Sequence, residues 1–452
     1  MKKVLITIIL VILALCGGGW LLYTKLVPPP AEAATLNPRH AELATRFLDL
    51  LDAARYEDAL AMANDEVRAA LDAKKLGDTW EILPKQLGAR SARSELRGEI
   101  VAGKQIVTST LSFPMMSLDA RVFFDEADRI SGFRLVPAQK APAPVELEQG
   151  TNWREIEFAA GPGHGALPGT LTLPAGNGPF AAVVLVHGSG AHDRDETIGP
   201  NKPFRDIAHG LASHGIAVLR YEKRTRAEPV RFSGKAFTVD DEVTLDVIAA
   251  AAALRTRSDI DPARVFVAGH SLGAMIAPRI ATRDTRLAGL ILLAAPARAL
   301  EDVVPQQIRY MAALDGKSDA DIETVLAPIE QQVAAVKALD AGVPDTAPLL
   351  LGLPASYWRS LAGYDPLAVT RSIPQPLLVL QGGRDYQVTP ADDFARWREA
   401  FADEPRVQLR EYPLLSHLFM PGGDPPGPKD YSVEGHVDAT VIDDIAAWIG
   451  AH

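Results

Sequence analysis

The 452 residues contain one cysteine, Cys16. A single thiol excludes any intramolecular disulfide. It also excludes a cysteine-ligated zinc site and a cysteine nucleophile in the folded part, because Cys16 lies in an N-terminal apolar run. No H-E-x-x-H metal motif and no G-x-x-x-x-G-K-[ST] phosphate loop occurs. Positive charge is not in excess either. Lys and Arg total 46 against 57 Asp and Glu, a formal charge of −11. A mildly acidic surface favours solubility and argues against general nucleic-acid binding. Hydrophobic residues make up 47% and charged residues 23% of the chain. That balance excludes a wholly disordered chain, a collagen and a coiled-coil rod. At roughly 100–200 residues per domain, the length implies two to four domains.

The N-terminus carries a membrane address. Lys2 and Lys3 precede an apolar run from Val4 to Tyr23, close to the ~20 residues that cross a bilayer as a helix. Both lysines are expected to stay cytoplasmic, with the remainder facing outward. Pro28, Pro29 and Pro30 stop any helix, and residues 28–37 read as a short linker. Three fates are open for residues 1–27. They form an uncleaved anchor, a signal peptide cut near Ala31-Glu32-Ala33, or a lipidation signal at Cys16. Leu15 stands where a lipidation signal wants a small residue. All three export the chain, either anchored in the inner membrane and facing the periplasm or secreted.

Residues 38–137 read as a small α+β domain. Leu43, Phe47, Leu48 and Leu51 have helical spacing within Ala41–Ala53, and Leu60–Leu71 reads as a second helix. After Ser94 the pattern changes to short alternating runs, Glu95–Val101, Gln105–Phe113, Asp119–Phe124 and Arg129–Val136. Gly103-Lys104 and Asp125–Asp128 read as hairpin turns between them. No catalytic constellation is visible here. Pro137, Pro142 and Pro144 mark residues 137–150 as a linker.

From Thr151 onward strands alternate with helices. Candidate strands are Trp153–Phe158, Thr170–Leu173, Ala181–His187, Ile216–Tyr221, Arg264–Ala268, Gly289–Leu293, Pro376–Gln381 and Val407–Tyr412. Candidate helices are Lys202–Ser213, Asp240–Arg255, Leu272–Thr282, Pro390–Phe401 and Ala439–Ile449. Near-continuous apolar strands such as Ala182–Val186 need cover on both faces. The expected architecture over 151–452 is an α/β fold with a doubly wound, mostly parallel sheet. Residues 297–365 interrupt the alternation with helical stretches and read as a lid insertion after the sixth strand. Met311, Leu350, Leu351, Leu353, Tyr357 and Trp358 either line a pocket there or form the core of the lid. The charges of Arg194–Arg205 form a polar rim, or are solvated or paired.

Gly269-His270-Ser271-Leu272-Gly273 is G-x-S-x-G, placed between an apolar strand and a helical stretch. That context makes Ser271 a candidate nucleophile on a strained elbow. His187-Gly188-Ser189-Gly190 closes the strand ending at Val186. A glycine-rich loop there supplies one donor for a developing oxyanion, and the residue after the nucleophile supplies the other. The candidate donors are the N–H groups of Ser189 and Leu272. A serine hydroxyl needs a base, and the base needs an orienting carboxylate, in the chain order Ser, acid, His. His417, His436 and His452 follow Ser271. His417 lies in the loop after the last strand, where the base must project, whereas His436 reads as a loop or capping histidine. Asp385 directly follows the buried strand Pro376–Gln381 and is the candidate acid. Asp365 in Tyr364-Asp365-Pro366 is the fallback, with a helix cap as its structural alternative.

These motifs resemble the α/β-hydrolase superfamily. The resemblance is to serine carboxylesterases of the dienelactone-hydrolase-like and bile-acid-acyltransferase-like type. The run His187–Glu196 and the run Gly269–Arg279 resemble bacterial esterases that carry an extra N-terminal domain of unknown function, cystatin-like or nuclear-transport-factor-like in shape. Residues 38–137 resemble that extra domain. The resemblance implies a triad of Ser271, Asp385 and His417, oxyanion donors at Ser189 and Leu272, a small-molecule ester substrate and no metal or organic cofactor. Dienelactone hydrolases proper use cysteine where this chain has Ser271, so dienelactone is not the expected substrate. An acyltransferase, a thioesterase or a peptidase would use the same triad, and a non-catalytic envelope binding protein could share the scaffold. The oligomeric state is not legible.

Overall fold

The computed structural model describes residues 32–452 except 88, 102–103, 114–116, 139–146, 162–164 and 233. The apolar run Val4–Tyr23, Cys16 and the processing expectations lie outside the described residues. Among the described residues no helix is long and apolar enough to cross a membrane. The chain divides into two units at Pro144/Val145.

In the first unit, β1 (Glu32–Ala34) precedes α1 (Pro38–Asp52). Asn37 starts α1, its side chain accepting from the N–H groups of Arg39 and His40, with proline in the first turn. Ala44, Phe47, Leu48 and Leu51 form its buried stripe. The single helix expected over Leu60–Leu71 is instead two short ones, α2 (Tyr56–Ala61) and α3 (Asp65–Ala70). Asn64 breaks the run because its side chain caps α3 by accepting from Val67 N–H. Next comes α4 (Ala73–Leu87), which the sequence reading missed. Its Leu76, Trp80 and Leu83 are buried at helical spacing, but Pro84 inside the helix disguised the pattern.

Five strands follow: β2 (Ala92–Arg93), β3 (Arg97–Val101), β4 (Lys104–Ser112), β5 (Ser117–Phe124) and β6 (Ile130–Pro137). They pair antiparallel in the order β1-β3-β4-β5-β6, with β2 also on β4. The reading of 28–37 as linker is corrected at Glu32–Ala34, which pairs with Gly98–Ile100 and occupies the open edge of β3. Leu48, Leu51, Val107, Leu118, Ala120 and Val122 join helices and sheet in one core.

The second unit carries β7 (Trp153–Ala160), β8 (Leu167–Pro174), β9 (Phe180–Val186), β10 (Ala217–Tyr221), β11 (Ile260–His270), β12 (Leu290–Leu293), β13 (Leu377–Gly382) and β14 (Val407–Tyr412). Their order is β7-β8-β10-β9-β11-β12-β13-β14. β7, β8 and β10 pair antiparallel, and every pairing from β10 to β14 is parallel. α5 (Pro203–Ser213) lies on one face with the C-terminal helix, Ala439–Ala451, packing on Val183, Leu185, Phe266, Ile291 and Leu380. On the other, Ala182, Val184 and Val186 are equally buried, and α6 (Leu245–Arg255) and α7 (Leu272–Arg283) pack on β11. Cover on both faces is why these strands are apolar without alternation. Each fully buried Val or Leu contributes roughly 1.5–3 kcal/mol.

Between β12 and β13 stand α8 (Leu300–Leu314), α9 (Asp319–Lys337), α10 (Ala355–Leu361) and α11 (Pro366–Ser372). The first three occupy 297–365, the segment read as an insertion, and α11 follows it. Leu350, Leu353, Tyr357 and Trp358 are buried, and Trp358 Nε1 donates to the Leu350 carbonyl at 3.2 Å. Tyr357 packs edge-on to Phe237, outside that segment, while Met311 and Leu351 are half-buried.

Candidate active site

Ser271 sits between β11 and α7 with φ 52° and ψ −116°. A non-glycine residue there stores roughly 1–3 kcal/mol of strain and persists only when its surroundings hold it. They do so by close approach. A methyl group on Gly273 would lie 2.2 Å from the Val186 carbonyl oxygen, and one on Gly269 would lie 2.3 Å from the Gly273 oxygen. The elbow therefore packs directly on the end of β9, with glycine required at both positions. Ser271 N–H donates to Leu293 O at 2.9 Å, which ties the turn to β12. Leu272 begins α7, so its N–H belongs to the first turn and has no intrahelical acceptor.

His417 lies in the loop after β14, and Asp385 in the loop after β13. Both are 3% exposed. His417 Nδ1 is 2.7 Å from Asp385 Oδ2. A carboxylate only accepts, so Nδ1 is the nitrogen that carries a proton here. Asp385 is fixed further by the N–H groups of Gln387 and Val388, at 2.8 and 2.9 Å on Oδ1. Gln381 Nε2 donates to Oδ2 at 3.1 Å. The remaining histidines and the fallback aspartate lie in other bonds. Asp365 caps α11, accepting from Leu367 and Ala368 N–H. His436 is exposed beside Asp206, at 3.2 Å. His452 Nδ1 lies 2.8 Å from Trp448 O.

Sequence reading missed two residues that join these loops. Glu196, at φ 51°, is 1% exposed. Its Oε1 accepts from Gly188 N–H at 2.6 Å, and its Oε2 is 2.9 Å from His270 Nδ1. His270 Nε2 is 3.0 Å from the His417 carbonyl oxygen. Both ring nitrogens of His270 thus face oxygen atoms, an arrangement that favours an imidazolium beside an ionised Glu196. Burial alone would push the Glu196 carboxyl up, but the His270 charge and hydrogen bond outweigh it and hold it down at about 2. For His270, burial lowers the affinity for a proton, while the Glu196 charge and hydrogen bond more than compensate and raise it. His187, also buried, is pushed down to about 3 by desolvation and so is neutral; its Nε2 lies 3.0 Å from Asp193 O. The available signals were that His270 is the second residue of G-x-S-x-G and that Glu196 ends the run after the glycine-rich loop. Neither signal discloses the pairing.

Lys223, after β10, reaches the same loop. Its Nζ donates to Gly188 O at 2.7 Å and pairs with Glu242 Oε1 at 3.1 Å. Glu242 Oε2 accepts from Tyr357 Oη of α10 at 2.9 Å. The charges of Arg194–Arg205 are paired rather than a free polar rim. Arg194 pairs with Glu222 at 3.1 Å, and Asp195 with Arg220 and with Lys202. Among the described residues no three His, Cys, Asp or Glu side chains are grouped to hold a metal ion.

Comparison with known proteins agrees with this architecture. Residues 183–427 match the alpha/beta hydrolase family, and residues 44–133 match DUF3887, a family of unknown function. The chain is 37% identical over 407 residues to the esterase EstD of Thermotoga maritima, covering 89% of this chain and 93% of that protein. Among solved structures it is similar to Est1E from Butyrivibrio proteoclasticus (14% identity, TM-score 0.43, 66% of this chain and 99% of the other). It is also similar to the esterase domain of a Rhodothermus marinus protein (17% identity, TM-score 0.38, 66% and 98%). With its parallel sheet, its strained serine elbow and a family match over more than half its length, the chain belongs to the alpha/beta hydrolase family.

Proposed function

We propose that this chain hydrolyses carboxylic esters of small or medium acyl groups through an acyl-enzyme on Ser271. The observation that carries the reading is the buried Asp385–His417 hydrogen bond of 2.7 Å, with the His417 loop tied to the residue preceding Ser271 through His270. His417 Nε2 takes the Ser271 proton as Oγ attacks the ester carbonyl. The tetrahedral oxyanion is met by the N–H groups of Ser189 and Leu272. His417 then gives the proton to the leaving alcohol as the C–O bond breaks. Water, deprotonated by the same imidazole, attacks the acyl-enzyme, and His417 returns that proton to Ser271 Oγ as the Oγ–C bond breaks and the acid leaves. Asp385 holds the tautomer and offsets the imidazolium that forms in each half-reaction. The relative from Thermotoga maritima, an esterase by name, supports the substrate class. The apolar run Val4–Tyr23 and its two flanking lysines are the support for placing the enzyme at or beyond a membrane. The test is hydrolysis of p-nitrophenyl esters from acetate to laurate by the full chain beside Ser271→Ala. Turnover that disappears in the variant, with an optimum at short or medium chains, supports the reading. Turnover that survives in Ser271→Ala, or no turnover on any ester, removes it.

A further inference from the structure

We infer that Lys223 is a positioning residue for the oxyanion site, acting through the Gly188–Ser189 peptide bond. The inference rests on the reading of Ser189 N–H as an oxyanion donor. The carbonyl that Lys223 Nζ contacts at 2.7 Å is that of Gly188. In a planar trans peptide this carbonyl and Ser189 N–H belong to one group and point in opposite directions. An ammonium on the oxygen end draws electron density out of the amide and leaves the N–H a stronger donor at the other end. It also fixes the plane of the peptide, and with it the direction of the N–H.

Gly188 is held from both sides. Its own N–H is bonded to Glu196, its carbonyl to Lys223, and a methyl group added to it would lie 3.2 Å from Ser271 Cβ. Lys223 is itself anchored. Its backbone N–H donates to His192 O within the same loop at 3.1 Å, its ammonium pairs with Glu242, and it is 2% exposed. Ordinary packing does not call for a cation there. A buried lysine needs a partner carboxylate, and a buried pair is often replaceable by apolar residues at no loss of stability. What an apolar pair could not do is polarise the peptide whose N–H faces the reacting carbonyl. Glu242 in turn carries the Tyr357 hydroxyl, so α10 of the inserted segment adjoins the same chain of bonds.

The test uses Lys223→Met in the full chain and a trifluoromethyl ketone, which Ser271 captures as a tetrahedral hemiketal. The hemiketal oxygen occupies the position of the oxyanion, and its ionisation is read by fluorine NMR against pH. Loss of a whole oxyanion donor costs roughly 10²–10³ in kcat. Weakening one should cost about tenfold, with KM unchanged, and should move the hemiketal ionisation to higher pH by about one unit. A merely structural lysine would alter folding or KM without moving that midpoint. If Lys223→Met does not fold, Lys223→Met/Glu242→Gln removes both buried charges together and carries the same expectation. An unchanged midpoint and kcat in a folded variant overturn the role of Lys223 and leave the functional reading intact. Absence of a hemiketal on the wild-type chain, with ester turnover that survives in Ser271→Ala, overturns the functional reading itself.

Discussion

His270 Nδ1 lies 2.9 Å from Glu196 Oε2, and the pair is buried between the serine elbow and the glycine-rich loop after β9. The opposite nitrogen of the same ring meets the His417 backbone at 3.0 Å. One imidazole ring thus spans three loops that arrive from distant parts of the chain. A buried ion pair is justified less by its net energy than by the geometry it enforces.

The pair makes stability depend on pH in a defined window. Glu196 is lowered from 4.5 to about 2, so its contribution is present above 4.5 and is lost as pH falls toward 2. His270 is raised from 6.5, so its contribution is present below 6.5 and is lost as pH climbs through the raised value. Both contributions are therefore complete between 4.5 and 6.5. Replacing Glu196 by Gln should destabilise the chain by about 1–3 kcal/mol in that window. The gap should narrow in alkaline solution. Thermal melting of both proteins from pH 4 to 10 checks this, and a gap independent of pH contradicts a charged pair.

Asp385→Asn should leave the fold intact and lower kcat by about 10³–10⁴-fold. The amide can still accept from Gln387 and Val388 N–H, but it no longer offers His417 Nδ1 a charged acceptor that enforces the tautomer. Steady-state kinetics beside a melting curve measure both halves. A loss below tenfold would remove Asp385 from the proposed triad. Asp365→Asn, which touches only a helix cap, should leave kcat unchanged.

Gly188→Ala should separate activity from stability. The added methyl would meet Glu196 Oε1 at 3.1 Å and Ser271 Cβ at 3.2 Å, so one of them must give by a few tenths of an ångström. Movement of either disturbs the oxyanion site, where a 1 Å misplacement costs about 10²-fold. The expected result is a kcat lowered at least tenfold in a protein that melts within a few degrees of wild type. Unchanged turnover would place the glycine-rich loop away from the chemistry.

Leu48 is fully buried in the core of the first unit. Leu48→Ala should destabilise that unit by about 2–5 kcal/mol. Ester turnover by the folded protein should not change, because the proposed triad and oxyanion donors all lie in the second unit. Chemical unfolding followed alongside kinetics tests this, and a proportional loss of turnover assigns the unit a part in the reaction.

The inner strands β9 to β13 were legible because cover on both faces imposes apolar runs, and the edge strands β7 and β14 because buried and exposed residues are mixed along them. The positions of Ser271, His417 and Asp385 were legible because each follows a strand at the carboxyl edge of the sheet. Glu196, His270 and Lys223 were not. Their roles depend on partners on other loops, up to 147 residues away in sequence, and an isolated charged residue reads as solvated. In the first unit Asn64 and Pro84 defeated the helix reading. One stops a helix by capping the next, and the other lies inside a helix that tolerates it. β1 was hidden because an edge strand takes its register from the partner rather than from its own side chains.

Everything proposed for the reaction depends on Ser271 being the nucleophile. The most direct measurement is peptide mapping by mass spectrometry after reaction of the full chain with a fluorophosphonate. The expected result is one adduct per chain, on the peptide bearing Ser271, absent in Ser271→Ala and formed far more slowly in His417→Ala. An adduct on another residue, or none on a folded chain, would contradict it.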